Sequence, residues 1–148
     1  MFTEKKKMRN YLSLILAIIL ADYVLKFISE DKVRNYGAAF DILEGYTFAL
    51  IFISVLAFVL FLFLFYKYEE YRLGLSFLIG GTLSNLLDRV LFGYVVDYIS
   101  FSDFFTSNLG DIANVTGVVI LFFSFFREPK GKEEEHRVLK RDIKRRYG

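Results

Sequence analysis

Two acidic residues, Asp97 and Asp111, stand at the edges of long apolar runs, where an ionised group is costly and is rarely present without a function. If both runs end at the same face of a membrane, the two carboxylates come together. Two close carboxylates cannot both ionise easily, so they share one proton. Such a pair can take a proton from a water and give one to a carbonyl. The pattern therefore predicts hydrolytic acid–base chemistry at Asp97 and Asp111.

Simpler structural roles compete with chemistry at several acidic positions. Asp111 begins an apolar run, and an acid is favoured in the first turn of a helix. Asn85, Asp88 and Arg89 fall on one helical face, where they would join neighbouring helices, with Arg89 pairing Asp88. For Asp88 the structural role is the favoured interpretation. Asp97 lies among valine, tyrosine and isoleucine, and it is harder to explain in that way.

A second charged pair, Asp22 and Lys26, interrupts the first apolar run. The two residues are four positions apart, a spacing that allows an ion pair within one helix. We expect this pair to snorkel near the outer membrane interface, and we favour that structural role over catalysis.

The elements that must position these groups are apolar runs. The chain has 148 residues, 55% of them hydrophobic, and a mean hydropathy of +0.39. Runs of about 17–25 apolar residues suffice to cross a hydrocarbon core of about 30 Å, and continuous runs without alternation favour helices. We predict an all-α membrane protein with one domain over 1–126 and a charged cytoplasmic tail over 127–148. Its four transmembrane helices cover about 11–28, 46–66, 73–96 and 109–126.

The distribution of basic residues predicts the orientation. Lysine and arginine precede the first run, flank the connection between the second and third runs, and follow the fourth. The positive-inside rule places all three regions, and both termini, in the cytoplasm. The connections that contain Asn35 and Asp97 are then extracytoplasmic, and we expect a small extended or β segment around 33–43.

Composition excludes several other classes of site. The chain has no cysteine and one histidine, His136, in the charged tail. Disulfides, thiol catalysis, histidine-rich metal sites and a Ser-His-Asp triad are therefore not expected, and we predict neither a metal nor an organic cofactor. The tail carries basic residues without interleaved aromatic residues, so we expect contact with membrane lipid headgroups and no nucleic-acid binding.

Five polar blocks, taken in order, resemble the lipoprotein signal peptidase family, also called signal peptidase II. They are Asp22-x-x-x-Lys26, Asn35-x-Gly37-Ala38-Ala39-Phe40, Gly80-Gly81 with Asn85-x-x-Asp88-Arg89, Val95-Val96-Asp97-Tyr98, and Asn108-x-Gly110-Asp111. Members of that family are four-helix aspartyl proteases of bacterial inner membranes. They cut the signal peptide from prolipoproteins just before a diacylglyceryl-modified cysteine.

The resemblance implies a role for each block. It makes Asp97 and Asp111 the catalytic dyad. It implies that residues of three blocks bind substrate or position the dyad, namely Asn35, Gly37, Asn85, Arg89 and Asn108. It gives Asp22, Lys26 and Asp88 structural roles.

The chain departs from the family pattern in a few places. The segment between Lys26 and Asn35 is shorter than usual, so the extracytoplasmic β platform should be reduced or absent. Ser84 and Ser107 stand where glycine and phenylalanine are usual, and Gly110 replaces an alanine. These changes bear on substrate range more than on the chemistry.

We therefore predict an intramembrane aspartyl endopeptidase of the bacterial inner membrane, monomeric, with its active site near the extracytoplasmic face. Its substrates would be prolipoproteins with a lipid-modified cysteine. One alternative is a small ion or solute carrier, because intramembrane Asp, Lys and Arg often mark ion paths. Another is a family member that binds lipidated peptides without cutting them.

Overall fold

The computed structural model describes residues 2–37, 46–102 and 105–126, together with the single positions 140, 141, 143, 145 and 146. Within these residues the chain forms four long α-helices, one in each predicted apolar run. They are α1 (Phe2–Ile28), α2 (Thr47–Lys67), α3 (Arg72–Phe92) and α4 (Leu109–Phe125), with a 3₁₀ turn at Glu69–Tyr71 before α3. The mostly helical prediction is confirmed, whereas the tail predicted over 127–148 lies outside the described residues except for those single positions.

Three of the helical stretches are long and apolar enough to cross a membrane: Lys5–Ile28, Thr47–Lys67 and Glu69–Phe92. Helix α4 is apolar but shorter, with 17 residues. Many large apolar side chains of α2 and α4 point outward, and Phe48, for example, is 89% exposed. An outward apolar surface of this kind suits a lipid environment rather than water.

Helix α3 is the centre of the bundle, and α1, α2 and α4 pack on it. More than half of its residues are buried, and Leu75, Leu78 and Ile79 form the apolar core with Phe65 of α2. The same helix therefore supplies both the core and the polar side chains Asn85, Asp88 and Arg89 near its far end.

Helices α3 and α4 approach each other closely at glycines. A Cβ atom on Gly81 would collide with the carbonyl oxygen of Gly110, and one on Gly117 would lie 2.8 Å from the carbonyl oxygen of Gly74. Small residues let two helix backbones come this near. The contact at Gly81 brings the first turn of α4 against α3, one turn before Asn85.

Helix α3 ends earlier than predicted, at Phe92 rather than near 96. Gly93 adopts a left-handed conformation (φ +81°), and its N–H donates to the carbonyl oxygen of Arg89 at 3.0 Å, which closes the helix. The next residues form strand β2 (Val95–Asp97). Asp97 is therefore a strand residue and not the continuation of a helix.

The extended segment predicted around 33–43 is confirmed where the structure describes it. Strand β1 (Val33–Asn35) pairs antiparallel with β2, and Val33 lies opposite Asp97. The platform expected to be reduced or absent thus consists, in the described part of the first loop, of one three-residue strand. Ala38, Ala39 and Phe40 of the same sequence block lie outside the described residues.

A β-hairpin carries the chain from Asp97 to Asp111. Strand β3 (Ile99–Ser102) pairs antiparallel with β4 (Phe105–Ser107), and α4 begins two residues later. The backbone N–H of Tyr98 donates to the carbonyl oxygen of Ser107 at 3.0 Å. The hairpin therefore places Tyr98, the residue after Asp97, beside Ser107, which lies shortly before Asp111.

Candidate active site

The start of α4 is built by a capping box between Asn108 and Asp111. The Asn108 side-chain oxygen accepts the N–H of Asp111 at 2.9 Å, and the Asp111 carboxylate accepts the N–H of Asn108 at 3.3 Å. Both contacts satisfy backbone donors that a helix start would otherwise leave unpaired. The predicted first-turn position of Asp111 is confirmed.

Asn108 also links that helix start to Asp97. Its side-chain Nδ2 donates to Oδ1 of Asp97 at 2.6 Å, while its Oδ1 holds the N–H of Asp111. Asn108 and Asp97 are both completely buried. One amide group therefore binds the strand that carries Asp97 to the helix that carries Asp111, and we call these two residues the acidic pair.

Each member of the acidic pair accepts further hydrogen bonds from neutral groups. Asp97 Oδ2 accepts from Nδ2 of Asn35 at 3.0 Å and from the Thr106 hydroxyl at 3.5 Å. The Asp111 carboxylate accepts from Nδ2 of Asn85 at 2.7 Å and from the Ser107 hydroxyl at 3.3 Å.

Two further properties of the acidic pair bear on chemistry. Asp111 is partly exposed, whereas Asp97 is buried. The two carboxylates are close enough to interact electrostatically. A pair of this kind favours sharing one proton, which is the state that general acid–base chemistry needs.

Arg89 does not pair with Asp88, so that part of the sequence interpretation is wrong. Its guanidinium donates to the carbonyl oxygen of Gly37 at 2.9 Å, and the N–H of Gly37 donates to the side chain of Asn35 at 2.9 Å. Arg89 thus holds the turn after β1, which orients Asn35 toward Asp97. The guanidinium is also within electrostatic range of both members of the acidic pair.

The true partner of Asp88 is Lys26, which lies between two acids. Its Nζ is 2.5 Å from Asp22 and 2.8 Å from Asp88, and all three side chains are at most 6% exposed. The predicted ion pair between Asp22 and Lys26 is confirmed, but the predicted snorkelling is wrong. A snorkelling ammonium would be solvated, whereas this one is buried because two carboxylates replace its water. We call these three residues the Lys26 cluster.

The remaining hydrogen-bonding capacity of the Lys26 cluster is used by surrounding donors. Asp22 accepts from the hydroxyls of Ser84 (2.5 Å) and Tyr98 (2.9 Å) and from the N–H of Gly110 (3.3 Å). Asp88 accepts the N–H of Val96 at 3.1 Å. The cluster therefore contacts the backbone on both sides of the acidic pair, at β2 and at α4.

All ten predicted site residues fall within one connected region, but some functional contacts come from residues that the sequence interpretation missed. These are Ser84, Tyr98, Thr106 and Ser107. Two of them had a signal, since Ser84 and Ser107 depart from the residue usual in the resembled family. Tyr98 also had one, as the last residue of the block around Asp97, whereas Thr106 had none, because its contact arises only when the hairpin folds beside Asp97.

Comparisons with known proteins show what the chain is similar to. Residues 3–127 match the family model described as signal peptidase (SPase) II. A lipoprotein signal peptidase of Clostridium novyi (strain NT) is 34% identical over 118 residues, covering 74% of this chain and 80% of the relative. That of Halothermothrix orenii is 33% identical over 137 residues, covering 78% and 94%. A solved bacterial membrane enzyme superposes with a TM-score of 0.73 at 24% identity, covering 81% and 93%, which shows a shared fold.

Proposed function

Because the chain belongs to the signal peptidase II family, a family of membrane-embedded aspartic endopeptidases, we propose that it removes signal peptides from diacylglyceryl-modified prolipoproteins by means of Asp97 and Asp111. The single observation that supports this assignment best is the position of Asn108. Its amide contacts both acidic segments at once, so two carboxylates from different elements are held in one place.

The proposed chemistry is attack by a water on the scissile peptide bond. The ionised carboxylate of the acidic pair takes a proton from the water as its oxygen bonds to the carbonyl carbon, and the protonated one donates to the carbonyl oxygen. The C–N bond then breaks as the departing nitrogen receives a proton from one carboxyl group, while a hydroxyl of the intermediate gives a proton to the other carboxylate, which restores the singly protonated pair. Asp111, the partly exposed member, faces the side from which water and substrate arrive.

The surrounding polar groups would orient the acidic pair and stabilise the tetrahedral intermediate. Asn35 and Asn108 hold Asp97, and Asn85 holds Asp111. Developing negative charge on the carbonyl oxygen needs a preorganised donor. Arg89, anchored on Gly37 and within range of both carboxylates, is our first candidate for that donor, and the Asn85 amide is the second.

The proposed membrane arrangement has four spans with both termini in the cytoplasm of a bacterial cell. At 17 residues, α4 is about 26 Å long, near the lower limit for a span. Asp97 follows the end of α3 and Asp111 begins α4, so both lie near one face, which we assign as extracytoplasmic. Substrate acyl chains would remain in the bilayer. Burial there contributes about 0.8 kcal/mol per CH₂ group to holding the substrate at the membrane.

A gel-shift cleavage assay in detergent tests this proposal. The substrate is a diacylglyceryl-modified prolipoprotein, with the unmodified precursor as its control. The enzymes are the wild type, Asp97→Asn, Asp111→Asn and, as a matched control, Asp31→Asn, which changes an exposed carboxylate just before β1. We expect the wild type and Asp31→Asn to cut the lipid-modified substrate only. Retained cleavage by both dyad variants would overturn the assignment, and equal cleavage of both substrates would overturn the lipid specificity.

A further inference from the structure

The Tyr98 hydroxyl occupies an unusual position between the two acidic segments. It donates to Oδ1 of Asp22 at 2.9 Å and accepts the backbone N–H of Leu109 at 3.0 Å. Leu109 is the first residue of α4 and precedes Asp111 by one turn or less. A single hydroxyl therefore connects the Lys26 cluster to the start of the helix that carries Asp111.

The same residue is covalently attached to Asp97. Tyr98 is the single residue between β2 and β3, and its side chain has different partners from that of Asp97. Asp97 contacts Asn35 and Asn108, whereas Tyr98 contacts Asp22 and α4. A displacement of Tyr98 from α4 would thus shift Asp97 relative to Asp111.

We propose that Tyr98 is a positioning residue that fixes the distance and orientation between Asp97 and Asp111 by clamping the start of α4 to the Lys26 cluster. This inference rests on the proposed function, because it assumes that both carboxylates act together. The Tyr98 hydroxyl would act through Asp22 and Leu109, without contacting the acidic pair or the substrate.

The chemistry of the hydroxyl suits this role. A phenol donates one hydrogen bond and accepts another, and both capacities are used here. Burial, followed by the nearby charge of Asp22, raises the pKa of Tyr98 above its ordinary value, so the donor proton is retained at neutral pH. A phenylalanine would fill the same space, remove the partner of the Leu109 N–H, and leave Asp22 Oδ1 with the N–H of Gly110 as its remaining donor.

The first test is Tyr98→Phe, compared with Tyr94→Phe. The Tyr94 ring contacts Tyr36, Phe92 and Arg34, so its replacement controls for loss of a phenol near the same strand. We expect kcat of Tyr98→Phe to fall about tenfold or more with KM nearly unchanged, since a misplacement of about 1 Å can cost about 100-fold in rate. We expect Tyr94→Phe to behave as the wild type.

A second variant, Leu109→Pro, removes the other partner of the hydrogen bond. Proline has no N–H, is well tolerated as the first residue of a helix, and requires an extended residue before it. Asn108 already has that conformation (φ −137°, ψ 175°). If the clamp is this hydrogen bond, Leu109→Pro and Tyr98→Phe each lower kcat, and the double variant loses little more than one single variant.

The outcomes separate this inference from the proposed function. Wild-type kcat in Tyr98→Phe overturns the positioning role, whatever the dyad variants do. Additive effects on kcat in the double variant overturn it as well, because a structural role without the clamp predicts independent losses. The proposed function fails only if Asp97→Asn and Asp111→Asn, assayed beside these variants, still cleave the lipid-modified substrate.

Discussion

The Lys26 cluster and the acidic pair are neighbours that use the same carboxylate chemistry in opposite ways. In the cluster, Asp22 and Asp88 share one buried ammonium. In the acidic pair, the hydrogen-bond donors are amides, hydroxyls and a backbone N–H, and no Lys or Arg forms an ion pair with Asp97 or Asp111 in the part of the chain that the structure describes. Each acid of the cluster contacts a cation, whereas the described residues give neither acid of the acidic pair such a contact.

This difference explains which acids can do chemistry. A carboxylate in contact with a buried cation is held ionised and gives up that contact if it takes a proton. A carboxylate surrounded by neutral donors can exchange a proton with its neighbour at smaller cost. The cluster is therefore suited to hold structure, and the acidic pair to transfer protons. The carrier hypothesis, which needs intramembrane charged groups along an ion path, loses support, since Asp22 and Lys26 of α1 are already paired with each other.

Asn85 joins the two regions. Its Nδ2 donates to Asp111 at 2.7 Å, and its Oδ1 lies 3.4 Å from Nζ of Lys26. A buried cluster built around one cation can in this way orient a site whose own charges must be free to change. The comparison predicts that substitutions in the cluster mainly affect stability, that substitutions in the acidic pair mainly affect rate, and that substitution of Asn85 affects both.

The largest expected effect is on rate, in the acidic pair. Asp97→Asn and Asp111→Asn should each lower kcat by about 100- to 10,000-fold, because that is what a positioned general acid or base contributes. Neither should lower the melting temperature in detergent, since each replaces one of two neighbouring carboxyl groups that oppose each other's ionisation. A marked loss of thermal stability with substantial residual turnover would reverse the roles that we assign to the two regions.

The next largest effect is on stability, in the Lys26 cluster. Lys26→Met leaves two buried carboxylates without a cation, and breaking a buried ion pair in this way costs about 3–5 kcal/mol. We expect a large fall in melting temperature. The triple variant Asp22→Asn/Lys26→Met/Asp88→Asn removes every charge and should recover part of the loss. A Lys26→Met protein as stable as the wild type would show that the cluster does not hold the fold together.

The sequence predicted most of the helical architecture because length and hydropathy are local properties of each apolar run. It predicted the ion pair of Asp22 with Lys26 for the same reason, since both residues lie on one helix. The third partner, Asp88, was assigned to Arg89 instead. Its contact with Lys26 exists only after α1 packs on α3, and no spacing along the chain records that packing.

The other wrong prediction, that α3 continues to about residue 96, has a local cause. The residues from Tyr94 to Val96 continue the apolar run of α3, so hydropathy alone extends the helix through them. Gly93 ends it by adopting a positive φ, which glycine permits but does not require. Asp97 thereby becomes a strand residue opposite Val33, and its contact with Asn35 of β1 follows from that pairing.

Asn85→Leu should affect both stability and rate, each by less than the two preceding changes. The substitution keeps the approximate shape of the side chain and removes both hydrogen bonds. We expect kcat to fall by about 10- to 100-fold through misplacement of Asp111. We expect a loss of about 1–3 kcal/mol in stability, because Lys26 and Asp111 each lose a buried partner. Asn85→Leu with a change in only one property would mean that the two regions are independent.

The smallest expected effects distinguish the two ends of the contact between α3 and α4. Gly81→Ala places a methyl group against the backbone carbonyl of Gly110, which cannot move without shifting the first turn of α4. It should cost about 1–3 kcal/mol in stability and also lower kcat. Gly74→Ala meets the side chain of Leu121 at 2.8 Å and the carbonyl oxygen of Gly117 at 3.0 Å, far from the acidic pair. Its cost is partly offset by the lower entropy of the unfolded chain, about 0.4–1 kcal/mol, so stability should fall less than in Gly81→Ala and kcat should not change. The measurements are the melting temperature and kcat of both variants. An equal loss of kcat in the two would mean that the rate depends on general helix packing rather than on the position of the turn that holds Asp111.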